Sequence, residues 1–188
     1  MAADSRFARR LFTVAGIGAG DLVVLTAGAS EYAQVWPYEA ALESLGACIA
    51  IAENLRFDAG RTEMFLRRFS MRAAFGIGPA VLDGLHDMGK PLDKVFGNTP
   101  VIFARDLAVN RLRAVGLKPW RVETLGPAFA FEDPDGETYY DRDEWLIESD
   151  NGELVITALN DRANPLVRLR TGVGGAIDSS TRTVTFER

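Results

Sequence analysis

Gly152-Glu-Leu-Val-Ile-Thr-Ala-Leu-Asn160 leads into Asn164-Pro-Leu-Val-Arg-Leu-Arg-Thr-Gly172. Each stretch holds a short run of β-branched and apolar residues, 154–157 and 167–170, between glycine, asparagine and proline, so both read as strands. The same pattern recurs on either side, at 128–131, 137–140, 145–147 and 183–186. Asp133-Pro-Asp-Gly136 and Asp150-Asn-Gly152 are turn signals between several of these runs, which predicts antiparallel hairpins. From residue 126 to 188 the chain therefore reads as β-rich.

Before Pro127 the pattern changes to α/β alternation. Helical spacing of apolar residues predicts helices over 5–15, 34–45, 59–69, from Pro79 onward and over 101–115. Between them, Asp21-Leu-Val-Val-Leu-Thr26, Ala47-Cys-Ile-Ala-Ile51 and Lys94-Val-Phe-Gly97 read as strands, and residues 72–76 read either as a strand or, over 70–75, as a continuation of the preceding helix. Strands that alternate with helices need crossover connections, hence a largely parallel sheet. The expectation is an α/β protein: a mostly parallel αβ lobe over 1–125 and a β-rich lobe over 126–188 packed on it as one compact unit.

Composition narrows the function. Of 188 residues, 47% are hydrophobic and 25% charged, ordinary for a globular protein. A net charge of −5 and a pI near 5.0 argue against nucleic acid or an anionic membrane as partner. The one cysteine, Cys48, excludes an internal disulfide framework and reads as a small buried hydrophobe. No run approaches the roughly 18 apolar residues a spanning helix needs, and no signal segment opens the chain, so a cytoplasmic location is expected.

The two opening stretches resemble late core motifs of adenylate-forming ligases, in particular the phenylacetate–CoA ligase branch, where "GEL-V-x-T" leads to "P-L-I-R-Y-R-T-x-D". Val14-Ala-Gly-Ile-Gly-Ala-Gly-Asp21, Glu43-Ser-Leu-Gly-Ala47 and Val95-Phe-Gly-Asn-Thr-Pro100 resemble earlier motifs of the family in the same order. The resemblance implies part of the ligases' large domain, and ATP, magnesium and CoA as the family's cofactors. It makes Gly97, Asn98, Thr99 and Arg170 a remnant of the nucleotide site and Glu123 a candidate magnesium ligand. Tyr32, Trp36 and Tyr38 fall where the family holds its acyl substrate, and aromatic rings there would stack on a flat carboxylic acid.

The departures from that pattern are as informative. Adenylation needs a lysine-containing, hydroxyl-rich loop to cradle phosphates. Gly16-Ile-Gly-Ala-Gly20 has the glycines, without lysine or hydroxyl, and precedes a strand, so a structural turn is the better reading. Val173 stands where the family has its ribose-binding aspartate, and Pro119-Trp120 where it has a tyrosine–glycine pair. The family's C-terminal lysine would fall beyond Arg188.

The remaining polar residues have simpler readings. Arg170 would pair with Glu153 or another acid of the β-rich lobe. His86, beside Asp87, reads as a helix-end residue. The acidic run Glu132-Asp-Pro-Asp-Gly-Glu137 lacks calcium-loop spacing and reads as a solvated turn. Three functions stay open: a non-catalytic binding or partner subunit for a full-length ligase or acyl carrier, also compatible with a homo-oligomer; one piece of a split acyl–CoA ligase completed by a complementary chain; and a binder of small aromatic or acyl molecules.

Overall fold

The computed structural model describes residues 2–28, 31–160, 165–178 and 180–187. The chain divides into two units, Met1–Val122 and Glu123–Arg188.

In the first unit the helices are α1 (Ala2–Val14), α2 (Tyr32–Ser44), α3 (Ala59–Arg68), α4 (Pro79–Asp87), α5 (Leu92–Phe96) and α6 (Asp106–Ala114). The strands are β1 (Leu22–Thr26), β2 (Cys48–Ala52), β3 (Met71–Ile77), β4 (Val101–Arg105) and β5 (Trp120–Leu125), whose last residues begin the second unit. Their order across the sheet is β2-β1-β3-β4-β5, every pairing within the unit parallel. The chain leaves β1 toward β2 and then returns to β3 on β1's other side. That reversal makes the β1/β3 boundary a topological switch point, where ligands of open α/β sheets bind at the strands' carboxyl ends.

Successive strand residues point to opposite faces, and each face has its own core. Phe75 and Phe103 carry an aromatic cluster with Phe12 of α1 and Tyr38 of α2. Phe12 meets Phe75 edge-on at 5.6 Å and Tyr38 stacks on Phe75 at 5.0 Å. On the other face Val24, Ala74, Ile102 and Ala104 pack with Val81, Leu82 and Leu85 of α4 and Leu112 of α6.

Two expected elements differ. Residues 101–105 form β4, and only 106–114 are helical. A strand covered on both faces is continuously apolar and offers no alternation to distinguish it from a helix start. Lys94-Val-Phe-Gly97, expected as a strand, belongs to α5, which buries Phe96 alone. Cys48 is exposed, not buried, because β2 is the edge strand of this order.

The second unit holds β6 (Ala128–Glu132), β7 (Thr138–Tyr140), β8 (Trp145–Asp150), β9 (Glu153–Ala158), β10 (Leu169–Asp178) and β11 (Thr183–Phe186). β6 and β7 form an antiparallel hairpin, and β11-β10-β9-β8 a four-stranded antiparallel sheet. The expected turns are present. The Asp133 carboxylate accepts the N–H groups of Asp135 and Glu137, each at 2.9 Å. Asn151 and Gly152 both have positive φ, 52° and 81°, as a two-residue hairpin turn requires. Trp145, Ile147, Leu154, Ile156, Val184 and Phe186 form this unit's core.

Gly76 is a tight point of the first unit. It is the bulged residue of β3, between Phe75 opposite Phe103 and Ile77 opposite Ala104, and has a φ of +84°. A Cβ there would lie 2.3 Å from the Thr26 carbonyl oxygen. Gly76→Ala is expected to cost about 3 kcal/mol from backbone strain and overpacking, read by urea unfolding. Gly18→Ala, which would project into open space, should stay within about 0.5 kcal/mol of wild type.

Candidate functional site

The carboxyl ends of β1 and β3 are where this topology invites a ligand, and side chains of the chain itself meet there. Thr26 ends β1 fully buried and donates its hydroxyl to the Phe75 carbonyl at 3.1 Å. The next turn brings Glu31 to the start of α2, where one carboxylate oxygen accepts the Gly28 N–H at 2.8 Å. The other oxygen accepts Nη1 of Arg105, the last residue of β4, at 2.6 Å. To reach it, Arg105 passes over Gly76: its Nη2 lies 3.4 Å from where a Cβ would stand.

The Arg105 side chain is 15% exposed and that of Glu31 31%. A charge-assisted pair at this depth is held tightly, since separating it would leave a charge partly stripped of water. Arg105 Nε is buried with no hydrogen-bond partner among the described residues. The Asn54 amide lies over Gly78, within 2.6 Å of where that residue's Cβ would stand, and its Oδ1 has no hydrogen-bond partner among the described residues. Glu31 and Arg105 neutralise each other, so among the described residues of this edge that pair leaves no uncompensated charge for a ligand.

Within the first unit the residues named from the sequence do not converge on one place. Gly97, Asn98 and Thr99 lie in the turn that precedes β4, at the amino ends of the strands. Within α2, Trp36 is 37% exposed and Tyr38 is 4% exposed. Two residues apart on a helix is about 200° of rotation, so the two rings face opposite ways and share no pocket. The Tyr32 side chain is outside the described set, as is Asn164 of the opening motif.

Arg170, in β10, makes an ion pair with Glu153 and a second with Asp150 at 3.3 Å, the structural pairing that its sequence context predicts. Val173 is half-buried against the core of the second unit. Glu123 lies half-buried in β5. Among the described residues no three His, Cys, Asp or Glu side chains are grouped so as to hold a metal ion. His86 lies in the last turn of α4, and its neighbour Asp87 receives Arg56 at 2.7 Å.

The glycine turn after α1 has four of its backbone donors already occupied. Gly16 N–H donates to Thr13 O at 3.0 Å, Ile17 to Phe12 O at 2.8 Å and Gly20 to Gly46 O at 2.9 Å. Gly18 N–H donates to the Asp21 carboxylate at 2.8 Å. A phosphate cradle needs those groups pointing at the ligand, and a carboxylate already fills the role here. The residues present do not fit a nucleotide triphosphate at either place.

No protein-family model matches the chain, and no curated protein matches it. Solved structures do. An open conformation of 2-hydroxyisobutyryl-CoA ligase in complex with 2-HIB-AMP and CoA superposes with a TM-score of 0.71 at 18% identity, covering 98% of this chain and 50% of that one. Wild-type E. coli MenE with a bound m-phenylether-linked analogue of OSB-AMS gives 0.58 at 14% identity, covering 98% and 43%. VinN in complex with L-aspartate gives 0.57 at 15%, covering 98% and 54%. The fold is that of part of the large domain of adenylate-forming ligases, and the chain spans about half the length of these relatives.

The β9–β10 ion pair gives this region an acid dependence. The Gly172 N–H, then the Arg170 guanidinium, hold the Glu153 carboxyl below its ordinary value of 4.5. A depressed carboxylate stabilises the fold above that value and loses its contribution as pH falls through the folded-state value. The melting-temperature difference between wild type and Glu153→Gln should therefore narrow as pH falls from 7 to below about 4.5. An unchanged difference at acid pH would contradict the pairing.

Proposed function

We propose that the chain is a non-catalytic relative of adenylate-forming ligases, a binding or partner subunit that keeps the scaffold and has given up the adenylation chemistry. The observation that carries this reading is the Arg105–Glu31 pair at the switch-point crevice. In an open α/β sheet that crevice is the default ligand position, and here an internal ion pair lies across it. The glycine turn, four of whose N–H groups are spent within the chain, and Val173 in place of a carboxylate point the same way. Removing the acceptor for two ribose hydroxyls costs a site several kcal/mol, on the order of magnitude of unpaired buried polar groups.

The motifs at 152–160 and 165–172 support the phenylacetate–CoA ligase branch as the nearest kin. A full-length ligase of that kind, or an acyl carrier, is the partner most compatible with a retained scaffold. The free thiol of Cys48 and the absence, among the described residues, of a helix long and apolar enough to cross a membrane accord with work in the cytoplasm.

A second reading has one observation in its favour. The chain matches about half of each ligase across nearly all of its own length, as one piece of a split acyl–CoA ligase would. Fold alone does not confer the activity, so the two readings are separated by reconstitution with a complementary chain.

Acid-dependent ATP–pyrophosphate exchange by the isolated chain is expected to be at background, with no thermal shift on adding ATP and magnesium. The double variant Arg105→Ala, Glu31→Ala should gain a thermal shift with AMP or an aromatic carboxylate that wild type lacks. Exchange by the unaltered chain alone would overturn the proposal. Exchange only after mixing with a second chain would establish the split enzyme.

A further inference from the structure

The opposite edge of the sheet has the reverse character. A cavity of about 540 Å³ lies at the amino ends of β1, β3 and β4, with Arg68, Ser70, Arg72, Asn98 and Thr99 among its lining. A second, of about 280 Å³, shares Arg67 and Asn98 with it and adds Lys90 and Lys94. Together they gather five cationic side chains and two carboxylates, Asp21 and Glu63, in a chain whose net charge is −5.

Both carboxylates are committed. Asp21 receives the Gly18 N–H, and Glu63 sits between Arg67 at 2.9 Å and Lys90 at 3.4 Å. Burial pushes the Glu63 carboxyl up, and the two cations outweigh it, so the group is held below its usual range. Lys94 faces Asp93 at 3.7 Å, which leaves Arg68 and Arg72 as the cations without an ion-pair partner among the described residues. Arg68, exposed at the end of α3, has no ion-pair partner among the described residues.

Arg72 is fixed in place by its Nε donating to the Gly16 carbonyl at 3.0 Å. Its Nη2 stands 2.6 Å from where a Gly16 Cβ would be. The guanidinium therefore lies over that glycine with its other donors unspent, a planar fork suited to a phosphoryl group. Ser70, Asn98 and Thr99 add neutral donors beside it.

One wall is apolar and continues past the charged part. Phe69 and Met71 are shared with a slot of about 120 Å³ lined by Leu22, Cys48, Ile49, Ala50 and Phe65. Phe69 is 49% exposed and Cys48 is exposed. We propose that this amino-edge groove binds a small organic phosphate with an apolar arm, the phosphoryl group held by Arg68 and Arg72 and the arm laid along Phe69, Met71 and Cys48. The combined space falls in the range of about 300–1,000 Å³ typical of small-molecule sites, and its concavity favours such a ligand over the flat face of an acidic protein. The site is independent of the closed carboxyl edge.

Cys48 is the chain's one thiol and provides a built-in reporter. Hexyl phosphate, hexanol and inorganic phosphate would be titrated against the full chain by calorimetry, and each tested for slowing alkylation of Cys48. Hexyl phosphate is expected to bind about 10-fold or more tightly than either fragment, and to slow alkylation at least about 5-fold, since it engages both halves of the groove. Arg68→Ala, which removes an exposed side chain without a structural partner, should weaken hexyl phosphate about 10-fold and abolish the protection. Arg72→Lys keeps the charge and loses the fork, and should weaken binding while the fold, followed by circular dichroism, is kept. No heat and no protection at millimolar hexyl phosphate, equal binding by Arg68→Ala, or binding only to vesicles or to an acidic protein, would each overturn the proposal. Arg68 would then serve the carboxyl end of α3 alone, and Arg72 the Gly16 turn.

Discussion

A missing side chain at residue 76 decides what happens at the carboxyl edge of the sheet. Because Gly76 has no Cβ, the Thr26 carbonyl can close onto β3 and Arg105 can cross above it to Glu31. A side chain there would have to displace backbone, and the φ of +84° is one that only glycine adopts cheaply. The Thr26 hydroxyl, bonded to the Phe75 carbonyl, ties β1 to β3 at the place where a doubly wound sheet takes its ligand. The ion pair follows from that closure and reinforces it.

The two edges of the first unit divide the charge between them. At the carboxyl edge Arg105 and Glu31 cancel, and Thr26 spends its hydroxyl on the neighbouring strand. At the amino edge Arg68 and Arg72 retain donors over an open groove. The relatives in this fold include a ligase solved with an acyl adenylate and CoA, yet a scaffold shared at 18% identity transmits geometry and not chemistry. The β-rich unit makes the same point, because Arg170 is engaged by Glu153 and Asp150 and Val173 packs on the apolar core.

Much of the architecture was legible in the residues. Alternating helices and strands to about residue 125 announced a parallel sheet, and the Asp-Pro-Asp-Gly and Asp-Asn-Gly turns placed the hairpins because those sequences demand particular φ values. The Arg170–Glu153 pair was visible because its residues lie on neighbouring strands of one motif. Four features were not. β4 merged with α6 because Val101-Ile-Phe-Ala is apolar without a period, and Cys48 was placed inside because its run gives no sign of lying at a sheet edge. The Arg105–Glu31 pair joins residues 74 apart in the chain, and no local pattern encodes a contact made only when β4 lies two strands from β1. The Gly97–Thr99 turn likewise had to be seen in three dimensions before its place at the amino edge was known.

One interaction, the Arg105–Glu31 pair, spans the switch point. A double-mutant cycle with Arg105→Met, Glu31→Gln and the pair together, followed by urea unfolding, measures it directly. A coupling energy of about 1–3 kcal/mol, as for contacting partly buried charges, is the predicted result. Additive effects, with coupling near zero, would mean that the two side chains do not hold the crevice shut.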